Sequence, residues 1–183
     1  MSINSTWNYI KINKKYYLVD SSFGAGYYNN KEFRKEYSDI YFATKPEYFV
    51  YTHYPSDSKW QMLSQEYTFK KFDSMPYILN EFYLYGFQTF SPESVDINGI
   101  GEVKITLTYN ETIKGLKFSY MAANSKLFEI DTFKANINNN SNGKVEFIFN
   151  KSNAETYYFI IFSTQPNGND PKGIIFYKLN PTK

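Results

Sequence analysis

The stretch WNYIKINKKYYLVDSSFGAG, residues 7–26, decides the fold of the first part of the chain. Side chains alternate with period two over residues 7–12 and again over residues 16–20, as they do in half-buried β-strands. Residues 13–15, Asn-Lys-Lys, favour a turn between the two runs. The pattern therefore predicts a β-hairpin that ends at Asp20, whose carboxylate is well placed to bond the backbone of the Ser-Ser that follows.

The amino-acid composition bears on which kind of partner the chain can bind. The chain has 183 residues, of which 21% are aromatic, with 19 Tyr and 17 Phe, and such rings can supply much of a core. The net charge is +2, and Arg34 is the only arginine. Because readout of nucleic acids leans on arginine, we expect no nucleic-acid partner.

The absence of cysteine excludes several kinds of chemistry from this chain. Without it, the chain itself offers no disulfide, no thiolate metal site and no cysteine nucleophile. Its acidic residues are scattered and it has no Gly-rich phosphate loop, so we predict neither a metal site nor a cofactor. The first residues hold no apolar signal core, which favours the cytoplasm without deciding the compartment, and no stretch is long enough to predict a membrane span.

Sequence patterns in the middle of the chain predict short helices and one short strand. Residues 29–39 are polar and predict a loop with some helix, and residues 40–43 predict a short strand. Pro46 indicates the start of a short helix. A further helix is predicted over residues 77–85, with Ser74 as its N-cap.

Short strands separated by turn clusters fill the last part of the chain. Seven strands at this spacing are typical of an antiparallel β-sandwich of the immunoglobulin-like type. They are predicted over residues 95–97, 102–109, 116–122, 132–137, 144–149, 156–162 and 174–179. The sequence thus predicts an α+β to mainly β protein, divided into a first segment (1–65), a helical connector (66–91) and the sandwich (92–183).

The opening segment resembles the transglutaminase-like superfamily. In that family a catalytic histidine lies just before a Trp-Asn pair on one strand, and a catalytic aspartate lies near the end of the next strand, in a Val-Asp-x-x-Trp-Gly setting. Here Trp7-Asn8 is followed by YLVDSSFGAG over residues 17–26. The runs YFATKPEYFVYTHYP (41–55) and WQML (60–63) are similar to the kyphoscoliosis-peptidase and hillarin branch. The resemblance implies a truncated transglutaminase-like β-sheet segment, followed by the β-sandwich of that branch.

The reacting positions depart from the family pattern. The family nucleophile is a cysteine on a helix upstream of the histidine strand; six residues precede Trp7, and we expect that helix to be missing from this chain. The histidine position, two before the tryptophan, is Ser5, and serine cannot act as the base that generates a thiolate. Only Asp20 remains at a triad position. We therefore expect a vestigial triad acid with no imidazole to orient, and no intact catalytic set.

We expect the other residues that the resemblance singles out to have structural roles. His53 is the only histidine, and it falls in a Thr-His-Tyr-Pro segment that the branch carries alongside its separate catalytic histidine. We interpret it as a structural or surface residue. Trp7 and Asn8 are expected to line a remnant of the cleft, and Trp7 and Trp60 are expected to anchor the core.

Three functions remain open at this stage. The first is a catalytically inactive transglutaminase-like protein that serves as a protein-binding or scaffolding module, with a protein partner or a second copy on the face that the missing helix leaves open. The second is the C-terminal part of a longer transglutaminase-like or cysteine-peptidase-like enzyme whose nucleophile lies upstream. The third is a carbohydrate-binding β-sandwich that uses paired tyrosines such as Tyr27-Tyr28 or Tyr157-Tyr158.

Overall fold

Two structural units make up the chain. The computed structural model describes residues 6–110, 115–124, 135–140, 143–151 and 156–180. One unit, the N-terminal unit, is Met1–Asp73, and the other, the C-terminal unit, is Ser74–Lys183. The three-part division expected from the sequence stays a prediction.

The N-terminal unit begins with the hairpin predicted from the sequence. Strands β1 (Asn8–Ile12) and β2 (Lys15–Val19) pair antiparallel. Asn13 and Lys14 form the turn in left-handed backbone conformations, with φ of 49° and 66°. A turn with both central residues at positive φ matches the right-handed twist of the two strands. The prediction of this hairpin is confirmed.

A second hairpin follows where a loop was expected. After helix α1 (Ser21–Ala25), strands β3 (Gly26–Asn29) and β4 (Glu32–Lys35) pair antiparallel. Their turn has φ of 48° and 70° at its two central residues, the same geometry as in the first hairpin. The prediction of a loop with some helix over residues 29–39 is therefore wrong for this part.

Short helices complete the N-terminal unit. A 3₁₀ helix over Asp39–Tyr41 replaces the strand predicted for residues 40–43, because the Phe42 N–H bonds back to the Asp39 carbonyl at 3.0 Å. Helix α2 (Pro46–Phe49) begins with its proline, as predicted. A second 3₁₀ helix (Ser58–Gln61) and helix α3 (Phe69–Asp73) follow.

In the residues that the structure describes, the C-terminal unit consists of strands and one short helix. Its elements are β5 (Tyr77–Ile78), α4 (Asn80–Leu84), β6 (Phe87–Ser91), β7 (Asp96–Asn98), β8 (Gly101–Tyr109), β9 (Lys117–Asn124), β10 (Asn136–Asn140), β11 (Lys144–Lys151), β12 (Tyr157–Thr164) and β13 (Lys172–Asn180). The helix predicted over residues 77–85 is shorter than expected and lacks Ser74 as its cap, because residues 77 and 78 pair with β13 instead.

Two sheets form an antiparallel β-sandwich, as predicted. One sheet has the strand order β10-β11-β8-β6, and the other has the order β5-β13-β12-β9, with β7 added in parallel to β13. Phe147 and Phe149 of the first sheet contact Phe159 of the second, with ring centroids 6.3 and 5.0 Å apart. Side chains alternate between buried and half-buried along β12, which is the pattern of a strand with one face on the core. Part of the strand predicted over 132–137 lies outside the described residues.

Candidate functional site

Backbone hydrogen bonds bring Asp20 and His53 into the same region, although 33 residues separate them. Leu18 and Thr44 exchange both of their backbone hydrogen bonds, at 2.8 and 2.9 Å. The Asp20 N–H then donates to the Tyr41 carbonyl at 2.9 Å. These bonds hold the end of β2 against the segment that leads into α2.

The Asp20 carboxylate is fully buried and uses both of its oxygens. Oδ1 accepts from the backbone N–H groups of Ser22 and Phe23, at 2.8 and 2.9 Å, and so caps α1. Oδ2 lies 3.2 Å from Nε2 of His53. The prediction of local backbone bonding is confirmed, but the expectation that Asp20 has no imidazole to orient is wrong.

The imidazole of His53 is held at both nitrogens. Nδ1 lies 2.7 Å from Oγ1 of Thr52, and Nε2 faces the Asp20 carboxylate. Because an ionised carboxylate only accepts hydrogen bonds, Nε2 is the nitrogen that carries the proton in the neutral ring. Nδ1 is then the acceptor and takes the Thr52 hydroxyl as its donor.

Aromatic rings surround the imidazole of His53. Phe49 stacks on it with ring centroids 3.9 Å apart. Trp7, Phe23 and Tyr41 meet it edge-on at 5.2, 5.1 and 5.9 Å. The histidine is 5% exposed, so the expectation of a structural residue agrees with its position and that of a surface residue does not.

Burial decides the charge of this histidine. Desolvation lowers the pKa of His53 below its usual value, and the nearby Asp20 carboxylate opposes only part of that effect. The ring is therefore neutral at pH 7. A neutral imidazole that donates to a carboxylate is a hydrogen-bonded pair rather than a pair of full charges.

The resulting order of groups is hydroxyl, imidazole, carboxylate. This is the order in which a hydrolase triad places its nucleophile, base and acid. Here the nitrogen not held by Asp20 faces Thr52, whose Oγ1 also lies 3.3 Å from the Phe49 carbonyl oxygen. Nδ1 of the imidazole is therefore within hydrogen-bond distance of the neighbouring threonine hydroxyl, and the aromatic rings named above pack around the imidazole.

Four other residues were predicted from the sequence to belong to the site or the core. Ser5 lies outside the described residues. Trp7 is half-buried against Phe49 as well as the histidine, whereas Asn8 begins β1 and is exposed. The prediction of Trp60 as a core anchor is wrong, because it is 43% exposed.

His53 is the residue of this site whose bond to Asp20 the sequence did not reveal. Its spacing of four from Phe49 indicates only that both follow the same helical turn. No local pattern relates it to an aspartate on a distant strand. Over the parts of the chain that the structure describes, no group of three or more His, Asp or Glu could hold a metal ion. Within the same residues, no helix is both long and apolar enough for a bilayer.

Comparison with known proteins supports the resemblance seen in the sequence. No family model matches the chain. Kyphoscoliosis peptidase of Mus musculus is 31% identical over 104 residues, which are 55% of this chain and 16% of that protein. Hillarin of Drosophila melanogaster is 30% identical over 94 residues, 45% of this chain and 12% of that protein. A LIM and transglutaminase domain protein of Caenorhabditis elegans is 29% identical over 92 residues, 44% of this chain and 13% of that protein.

These relatives confirm the resemblance to the kyphoscoliosis-peptidase and hillarin branch of transglutaminase-like proteins. The chain spans less than a fifth of the length of each relative that it matches. Its homologues are transglutaminase-domain proteins.

Removing either partner of the buried pair is expected to destabilise the N-terminal unit. His53→Ala leaves an oxygen of the Asp20 carboxylate buried without its donor, and an unsatisfied buried group costs about 1–3 kcal/mol, more when it is charged. Asp20→Ala also removes the cap of α1. Asp57→Ala is the matched control, because Asp57 likewise caps a helix, at 3.2 Å from the Lys59 N–H, but is exposed. Urea unfolding should show a much smaller loss for the control; equal losses for Asp20→Ala and Asp57→Ala would contradict the role of the pair.

Acid should weaken the fold through His53. Its pKa in the folded chain lies below the value of about 6.5 expected when unfolded, so the unfolded state binds more protons between the two values. The free energy of unfolding should therefore fall as pH drops below about 6.5, by at most about 1.4 kcal/mol per pH unit. Urea unfolding between pH 7.5 and 5.5 measures this slope. His53→Gln should flatten it; a wild-type curve that rises toward acid would contradict the direction of the shift.

Proposed function

We propose that this chain is a catalytically inactive transglutaminase-like module that acts by binding a protein partner, in a scaffolding role. The observation that carries the proposal is the state of His53. Both of its nitrogens are engaged, one by Asp20 and one by Thr52, and aromatic rings surround it. A general base must lie within hydrogen-bond reach of the proton that it removes, and the group within reach of Nδ1 here is the hydroxyl of its own neighbour, Thr52.

The rest of the catalytic requirement is also unmet within this sequence. Acyl transfer by a Cys-His-Asp set needs a thiolate, and the 183 residues contain no cysteine. Thr52 Oγ1 lies 2.7 Å from Nδ1 of His53 and 3.3 Å from the Phe49 carbonyl oxygen, and in this proposal both contacts serve the fold. The cavity beside β2 described below does not include Thr52, His53 or Asp20 in its walls. The carboxylate and the imidazole serve the fold in this proposal.

The binding part of the proposal is supported by exposed apolar side chains. Among the described residues, eleven large ones are exposed in the N-terminal unit, against four in the C-terminal unit. The eleven are Tyr9, Ile12, Tyr16, Phe23, Tyr27, Tyr28, Phe33, Tyr37, Phe42, Trp60 and Phe69. Exposed side chains of this kind on one small unit suit contact with a partner, because covering them removes apolar area from water.

The hairpin of β3 and β4 is the most prominent part of this surface. Tyr28 is 75% exposed, and its ring contacts that of Phe33 edge-on at 5.3 Å. Tyrosine and phenylalanine are among the residues enriched at protein–protein interfaces. A protein partner that covers the two rings would bury area worth about 25 cal/mol per Å².

A second candidate is the C-terminal part of a longer transglutaminase-like or cysteine-peptidase-like enzyme. It is favoured by the small share of each relative that the chain spans, 16% for the mouse protein. It is also favoured by the Asp20–His53 bond, which has the form of an acid orienting an imidazole. In this case a cysteine outside the present sequence would have to reach the imidazole. A coding sequence upstream of Met1 without a cysteine-bearing helix would remove this candidate.

An activity assay tests the inactive state. The purified chain is incubated with a fluorescent primary amine and casein to detect acyl transfer, and with labelled casein alone to detect cleavage. We expect rates equal to the buffer blank for the wild type, for Asp20→Asn and for Thr52→Val. Turnover by the wild type that Asp20→Asn abolishes would overturn the proposal.

A second assay tests the binding surface. An environment-sensitive naphthalene dye and sedimentation velocity report exposed apolar area and self-association. Tyr28→Ser with Phe33→Ser should reduce dye binding, or the associated fraction, by at least half. The matched control is Ile100→Ser with Met121→Ser, two exposed residues of the C-terminal unit, which should leave both unchanged. A wild-type chain that is monomeric and binds no dye would contradict an apolar docking surface.

A further inference from the structure

A cavity of about 510 Å³ lies beside strand β2 in the N-terminal unit. Its volume falls in the range of binding sites for small ligands and short peptide segments. It is separate from the buried pair: its walls come from the turn between β1 and β2, from the first residues of β2, from the start of α2 and from Met62. Aromatic rings of Tyr16, Tyr17 and Tyr48 form much of the lining.

Three lysines give this cavity a positive charge. Lys14 and Lys15 come from the hairpin, and Lys45 precedes α2; Glu47 is the single acidic residue in the wall. None of the three lysines forms an ion pair with a carboxylate among the described residues, although Lys59 elsewhere in the unit pairs with Asp57 at 2.6 Å. Uncompensated charges of one sign around a concavity attract a ligand of the opposite sign.

The cavity also contains an open strand edge. Leu18 turns its backbone N–H and carbonyl away from β1 and pairs with Thr44. Because backbone direction alternates along a strand, Tyr16 turns its own groups to the same side. The residue opposite Tyr16 in this register is Pro46, which has no N–H and begins α2. The ladder therefore stops, and no backbone partner of Tyr16 on this side lies among the described residues.

We propose that this cavity binds an extended acidic peptide segment of a protein partner. The inference rests on the proposed binding function and names the chemistry of the partner. The peptide main chain would continue the interrupted ladder at Tyr16, as peptides do when they add a strand to an exposed edge. Its carboxylates would meet Lys14, Lys15 and Lys45. A small anion would satisfy the lysines but not the backbone groups of Tyr16, which is why the two features together favour a peptide.

The experiment is a titration followed by ¹H–¹⁵N correlation spectra of the full chain. The probe is a blocked heptapeptide, Glu-Val-Glu-Val-Glu-Val-Glu, and its lysine counterpart, Lys-Val-Lys-Val-Lys-Val-Lys, is the charge control. We expect the acidic peptide to shift the amides of residues 14–17 and 45–48, to slow hydrogen exchange at Tyr16, and to bind more weakly as salt rises. The lysine peptide should cause no shift at the same concentration.

Matched variants distinguish binding at the cavity from non-specific attraction of the acidic peptide to surface lysines. Lys15→Glu with Lys45→Glu should weaken binding at least tenfold. Lys31→Glu with Lys35→Glu makes the same charge change on the other hairpin and should change the dissociation constant by less than threefold. An acidic peptide N-methylated at its central valine loses a main-chain donor and should bind more weakly than the parent.

Several outcomes would overturn the inference. The first is that the acidic peptide does not bind at millimolar concentration. The second is that both double variants lose the same binding affinity. The third is that inorganic phosphate alone shifts the same amides. None of these would affect the activity and dye assays of the proposed function, so the two can fail independently. Because the four substituted lysines, Lys15, Lys31, Lys35 and Lys45, are all exposed, both double variants are expected to fold, which thermal unfolding of each would verify.

Discussion

The buried hydrogen bond between Asp20 and His53 is the constraint on which the N-terminal unit depends. One carboxylate ends β2, caps α1 and fixes the ring that follows α2. Burying a carboxylate is costly unless its oxygens are bonded, and here each oxygen has a partner. The aromatic rings around the histidine strengthen that bond by excluding water, and they raise the cost of breaking it for the same reason. The pair therefore joins the end of β2, helix α1 and the turn that follows α2.

The same geometry bears on function. A triad acid in a transglutaminase-like protein orients an imidazole toward a nucleophile. In this chain Asp20 does orient an imidazole, but the free nitrogen of that ring is directed to its own neighbour, Thr52. Under the proposed function, this arrangement, which has the parts of a catalytic site, serves as a structural bond. The proposals for binding rest on two surface features: the exposed rings of the N-terminal unit and the lysine-lined cavity beside β2.

Local patterns explain which parts of the fold were predictable. Period-two alternation identified β1, β2 and the strands of the sandwich from β7 onward. It did not identify β5 and β6, which lie in the residues predicted as a helical connector. Pro46 marked the start of α2 because its ring suits the first helical position. The hairpin of β3 and β4 was missed because its exposed residues do not alternate. The sequence around Asn30 and Lys31 carries only a turn signal, of the same Asn-Lys kind that closes the first hairpin.

The candidate site was less predictable than the fold. Asp20 stood out through the resemblance and through its position before two serines, both of which are local features. The role of His53 depends on backbone bonds between Leu18 and Thr44, and no periodicity in either segment specifies that pairing. A residue whose partner lies 33 positions away becomes visible only when the intervening chain is folded. The open edge at Tyr16 has the same origin, because it exists only in the register that places Pro46 opposite it.

The protonation state and hydrogen-bond partners of His53 test the central claim most directly. Long-range ¹H–¹⁵N spectra of the imidazole at pH 7 distinguish the two tautomers and the charged ring. We predict a neutral ring with its proton on Nε2, a hydrogen bond from that proton to Asp20, and a pKa below the ordinary value for histidine. A ring that is charged at pH 7, or that carries its proton on Nδ1 with Nε2 accessible to solvent, would contradict the account.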